Sequence, residues 1–169
     1  SPNYYAVDLI SDILCNGQSS RLYRKLLKEQ ELFSEIDCYI TGTIDPGLLV
    51  IEGKPADGVT IEQAEAAIWQ ELALLQTQQL SKTELQKIKN KAESTLVFSE
   101  LNVLNKAMNL AYFELLGNAD LINDEAKSYQ AVTVEDIQSQ AQTIFTKENC
   151  SLLIYQANGE YEYEEEEEE

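Results

Sequence analysis

Three short signatures fix where much of this chain must be helical: Thr60-Ile61-Glu62-Gln63, Ser81-Lys82-Thr83-Glu84 and Thr133-Val134-Glu135-Asp136. In each, a hydroxyl residue stands three places ahead of an amide or acid. The hydroxyl can accept a free N–H of the first helical turn while the longer side chain reaches back to the N–H of the hydroxyl residue. The helix opened at Thr60 is expected to run to about Gln79, burying Ile61, Ala64, Ile68, Leu72 and Leu75. The one opened at Ser81 carries Leu85, Ile88, Ala92 and Leu96, then Leu101, Leu104, Met108, Ala111 and Leu115, and stops at Gly117-Asn118. A periodic run of over about 30 residues predicts a break, placed around Ser99–Asn105. A short helix and loop over Asp120–Val132 lead to the third, with Val134, Ile137, Ala141, Ile144 and Phe145 inward. Asn149–Ala157 reads as a closing strand.

Ahead of Thr60 the pattern changes. Ser1-Pro2-Asn3 suits a helix start, since proline needs no N–H in the first turn. Tyr4, Val7, Leu9, Ile10, Ile13 and Leu14 follow at helical spacing until Asn16-Gly17. A second helix, about Ser19–Glu29, carries Leu22, Leu26 and Leu27. Phe33–Thr43 then alternates around Ile36, Cys38 and Ile40, Asp45-Pro46-Gly47 signals a turn, and Leu48–Gly53 returns as its antiparallel partner before Lys54–Gly58 ends it. Together these elements predict an α+β domain, one antiparallel sheet with helices packed on one face. Residues 1–158 form that domain, and 159–169 form an acidic low-complexity tail, self-repelling and expected to be disordered unless it pairs as a strand or lies on a neighbour.

The net charge is −18, and eight of the acids are glutamates within Glu160–Glu169; without them −10 remains. Such a field repels phosphate backbones, which argues against nucleic acid as a partner. No apolar run approaches the roughly 20 residues of a membrane span. Cys15, Cys38 and Cys150 are odd in number and sit in apolar runs, so all three read as buried free thiols. The chain starts without methionine, almost at once in a helix, and reads as a piece of a longer protein.

The stretch Asn16–Ile44 resembles the signature of the pitrilysin/insulinase-type zinc metallopeptidases and their mitochondrial processing peptidase relatives. The match falls on Gly17, Ser19, Ser20, Arg21, Leu22, Tyr23, Leu26 and Leu32. Leu80–Lys89, Asn105-Lys106-Ala107, Leu116-Gly117 and Ala131–Ile137 match later parts of the same repeat, so the resemblance spans Tyr4–Ala157. It implies the C-terminal, non-zinc-binding domain, as a fragment, with the LuxS/MPP-like metallohydrolase-type fold lacking its first strand or strands and a sheet edge left open. It also implies a bacterial parent of cytoplasm or periplasm.

The family's zinc site needs two histidines one helical turn apart with a glutamate that activates water. This chain has no histidine. The resemblance therefore implies no cofactor here, and zinc in a homologous partner domain of the same or another chain. The domain without zinc normally lends an arginine and a tyrosine, seven residues apart, to hold substrate or the developing oxyanion. Those positions are Leu27 and Ser34, and the glycine of the family's Gly-Leu pair is Glu31. Lys28, one position off, and Tyr39, on the next strand, are the nearest substitutes.

Arg21 reads as tying a helix N-terminal region to a carboxylate or backbone, and Tyr23 as core. Glu62, Glu65, Glu71 and Glu84 read as solvated helix faces. Cys15 lacks a histidine base, and Ser19-Ser20 lack a nucleophile elbow. The expected role is a non-catalytic domain that walls a peptide-enclosing chamber and supports a zinc-bearing partner acting on unfolded peptides. The alternative is an inactive structural or assembly module with no proteolytic role. A third reading is a peptide binder, or a homodimer, built on the open sheet edge.

Overall fold

A computed structural model describes residues 2–42 and 47–156. Helix α1, Pro2–Cys15, is the hub. Leu9, Ile10, Ile13 and Leu14 are buried to 2% exposure or less, each contributing on the order of 1.5–3 kcal/mol of transfer free energy. Tyr4, expected in that stripe, is exposed, and Ala6 is buried instead. The helix packs on the first strand and on the later helices described below. It ends where expected, with Gly17 at φ 98° turning the chain away.

The second predicted helix forms, but over Tyr23–Glu29 it is wound as a π-helix. Leu22 and Leu26 fill its core face, with Leu27 half-buried beside them. Strands β1 (Phe33–Ile40) and β2 (Leu49–Pro55) make the antiparallel hairpin, with Cys38 opposite Ile51 and Ile36 opposite Gly53. Inward Phe33, Ile36 and Cys38 are buried while Glu35, Asp37 and Tyr39 face out, the period-2 pattern of a half-buried strand. Gly53 has a packing reason: a Cβ there would come within 2.6 Å of the Phe33 ring. The pairing extends to Thr41, whose N–H donates to Leu48 O. Asp45-Pro46 of the expected turn lies outside the described residues.

Helices α2 (Ile61–Thr77), α3 (Lys82–Ser99), α4 (Val103–Leu115), α5 (Glu125–Ala131) and α6 (Val134–Ile144) follow, with a 3-10 helix, Ala119–Asp124, ahead of α5. Thr60 and Thr133 head reciprocal caps with Gln63 and Asp136. The cap at Ser81 is one-sided. Ser81 Oγ accepts from Glu84 N, but the Glu84 carboxylate is taken by Arg21 and does not turn back. The expected break falls at Glu100–Asn102, where Asn102 Oδ1 accepts from Leu104 N and Asn105 N to start α4 afresh.

The closing strand is a correction. Residues 150–156 pair with no strand, and Leu153 and Tyr155 are more than 90% exposed. Among the described residues the sheet consists of β1 and β2, and this apolar segment pairs with neither. The acidic tail lies outside the described residues. Cys15 and Cys38 are buried free thiols as expected, but Cys150, on the unpaired segment, is exposed.

Candidate functional site

The glycine–serine turn is a stitched joint. Ser20 is buried, and both its N–H and its hydroxyl donate to Gly17 O. Three side chains of α3 reach it. Lys91 Nζ donates to Asn16 O at 2.9 Å and also to Asn16 Oδ1, and Lys87 Nζ donates to Ser19 Oγ at 2.8 Å. Arg21 Nε and Nη2 donate to the two oxygens of Glu84, each at 3.3 Å. Glu84, Lys87 and Lys91 are spaced three and four apart and so share one face of α3. The sequence pointed to a carboxylate for Arg21 but not to which one. The two lysines were missed, although their spacing from Glu84 carried the signal.

The π-helix leaves the joint and closes on itself. Gln30 N–H donates to Lys25 O, an i→i+5 bond, and Leu32 N–H donates to Leu26 O at 2.8 Å. Glu31 makes this possible by adopting φ 54° just past the helix end, the left-handed position that usually takes glycine. The family pattern has glycine here, and this geometry is a physical reason for it.

The two positions that the resemblance assigns to the arginine–tyrosine pair are both engaged locally. Leu27 packs against the core, and Ser34 occupies the bulge of β1, its Oγ donating to Lys54 O at 3.2 Å. Lys28 lies 5.5 Å over the ring of Tyr23, which is half-buried, and Tyr39 donates to Glu52 at 3.3 Å. Lys28 and Tyr39 are thus engaged separately.

A shallow cleft of about 340 Å³ runs between α1 and β1, lined by Asp8, Asp12, Cys15, Asp37, Cys38 and Tyr39 among others. The backbone N–H of Cys38 faces it and is taken by Asp37 Oδ1 at 2.8 Å. Beside it Tyr129 donates its hydroxyl to Asp8. Burial raises the pKa of Asp8, an effect the Tyr129 bond opposes. Burial, then the charges of Asp8 and Glu125, pushes Tyr4 up to about 12. The hydrogen bond with Cys15, then burial, holds the Cys38 thiol well above its usual range. A thiol and phenols whose ionisation is pushed up, with no histidine beside them, are unsuited to nucleophilic work. No group of three or more His, Cys, Asp or Glu able to hold a metal occurs among the described residues, so these residues do not fit zinc.

The expectation of solvated carboxylates needs correcting at three positions. Glu71 is buried, Glu84 pairs with Arg21, and Glu65 accepts from Trp69 Nε1 and from Lys147, whose ammonium also lies 4.2 Å from the Trp69 ring centroid.

The arrangement of elements is shared with known proteins. The family model described as the Peptidase M16 inactive domain matches residues 1–92, and the chain belongs to that family. Among solved structures, the inactive peptidase domain of a candidate zinc protease from Bordetella parapertussis superposes with a TM-score of 0.78 at 22% identity. That match covers 88% of this chain and 81% of the other. A candidate zinc protease from Bordetella pertussis Tohama I gives 0.76 at 23% identity, covering 88% and 82%. A protease from Helicobacter pylori gives 0.77 at 19% identity, covering 83% of this chain but 34% of its own. At these identities the likeness concerns the fold, and this chain spans about a third of the Helicobacter protein. No curated protein matches.

Proposed function

We propose that this domain is a catalytically inert partner in a zinc metallopeptidase: it walls part of a chamber that encloses unfolded peptides and supports a homologous zinc-bearing domain of the same or another chain. The observation that carries this reading is the match of residues 1–92 to the inactive M16 domain in a chain without histidine, and the arginine–tyrosine positions add to its inertness. Leucine at 27 has no donor for an oxyanion, and Ser34 is too short to reach across a chamber and is already bonded to Lys54 O. With no histidine in the chain, all metal chemistry falls to the partner. The wall itself is acidic, which favours basic peptides near it.

The test is peptidase activity of the longer protein that contains this domain, with zinc and with chelator, beside this chain alone. A zinc-dependent parent and an inert chain are expected. In such a parent, Leu27→Arg with Ser34→Tyr should change turnover if these positions face the substrate. Activity in the isolated chain would overturn the reading. A parent that binds its partner yet never cleaves would replace it with the assembly-module reading, which the same lost pair favours.

A further inference from the structure

Helix α4 is built inside out. Its main packing is with the 3-10 helix Ala119–Asp124, and the residues it turns toward the body, Asn109 and Phe113, are only half-buried. The opposite face, which a surface helix normally gives to charged residues, carries Leu104, Met108, Ala111 and Leu115, all exposed. Leu101, just before the helix, extends the row. Spacings of three and four in strict alternation make this a narrow apolar seam, as in helices that pair side by side.

We propose that this seam is a two-fold interface between two copies of the chain, with α4 lying antiparallel to its counterpart. Antiparallel pairing about a point between Met108 and Ala111 sets Leu104 of one copy against Leu115 of the other, and Met108 against Ala111. Large residues then meet at both ends and a large one meets a small one near the middle, so one surface serves as its own complement.

Charge leaves this face open to a second copy. The chain carries −18 overall, so two copies repel wherever their acidic faces meet. Within α4 the charged residues are Lys106 and Glu114, one of each sign and both off the seam, so copies can meet here without opposing like charges. The area fits a weak, reversible dimer. Leu101, Leu104, Met108 and Leu115 are 60–76% exposed and together offer on the order of 500 Å² per copy, against about 800 Å² in a stable interface of ordinary size.

Sedimentation equilibrium of the whole chain across micromolar concentrations tests this. A reversible monomer–dimer equilibrium is expected, weakened at least tenfold by Met108→Glu or Leu104→Glu. Because both side chains are exposed, the far-ultraviolet circular dichroism and melting of each variant at low concentration should match the parent chain. Leu153→Glu, on the exposed C-terminal segment, should leave association unchanged. A monomer throughout the range overturns the proposal, as does a dimer that Leu153→Glu dissolves and the α4 variants spare.

Discussion

Glu31 holds a backbone conformation that costs an L-residue roughly 1–2 kcal/mol, and its side chain is exposed. Glu31→Gly should therefore stabilise the domain by about 0.5–1 kcal/mol after glycine's own entropy is counted, raising the melting temperature by roughly 1–4 °C. An unchanged or lower melting temperature would contradict this. Asp8 gives a pH dependence. Its pKa is raised by burial from an ordinary value near 3.8, so the folded state keeps a proton that the unfolded chain has lost. Its contribution to stability therefore grows as pH falls from neutrality through the folded pKa, and levels off below the unfolded one. Glu125, raised by burial and by Asp8, adds in the same direction. Asp8→Asn keeps an acceptor for Tyr129 and removes the charge. The gain in urea midpoint as pH falls from neutrality toward the unfolded value near 3.8 should shrink in this variant. Thiols give a simpler check: native protein should react quickly at Cys150, and at Cys15 and Cys38 only on unfolding.

At the scale of elements, local chemistry was legible wherever it was self-contained. The caps at Thr60 and Thr133, the break before Val103 and the β1–β2 hairpin each depend on residues within a few positions of one another. Thr133→Ala should cost about 1 kcal/mol, seen as a lower urea midpoint, since both halves of its cap are made. The misreadings arose where the deciding partner lies far along the chain. Glu84 left its cap because Arg21, 63 residues earlier, offers a two-pronged donor that is mostly buried. The segment from Cys150 has a strand's composition, but pairing needs a partner brought alongside from far along the chain, and composition carries no record of that. A double-mutant cycle between Arg21→Ala and Glu84→Ala should give a coupling near 1 kcal/mol, reduced from the buried range because Glu84 is partly exposed. No coupling would mean that Lys87 and Lys91 alone hold the turn to α3.

For the molecule as a whole, the family was legible in the Ser-Ser-Arg-Leu-Tyr run. Counting along the signature singles out Leu27 and Ser34, but it could not show their surroundings, because the π winding and the bulge both alter which way a residue points. Without a histidine to ligate it, zinc incubated with the chain and then dialysed should be retained well below one ion per molecule by metal analysis. Stoichiometric, tightly held zinc would place a site in residues that do not resemble one.

The wide turn at Tyr23–Glu29 has a bearing on direction. Each hydrogen-bonded ring of an i→i+5 helix encloses one more residue than an ordinary helical ring, so successive side chains step round the axis by a smaller angle. Leu27 and Lys28 sit inside that winding, and the headings they take are not those that an α-helix of the same sequence would give them.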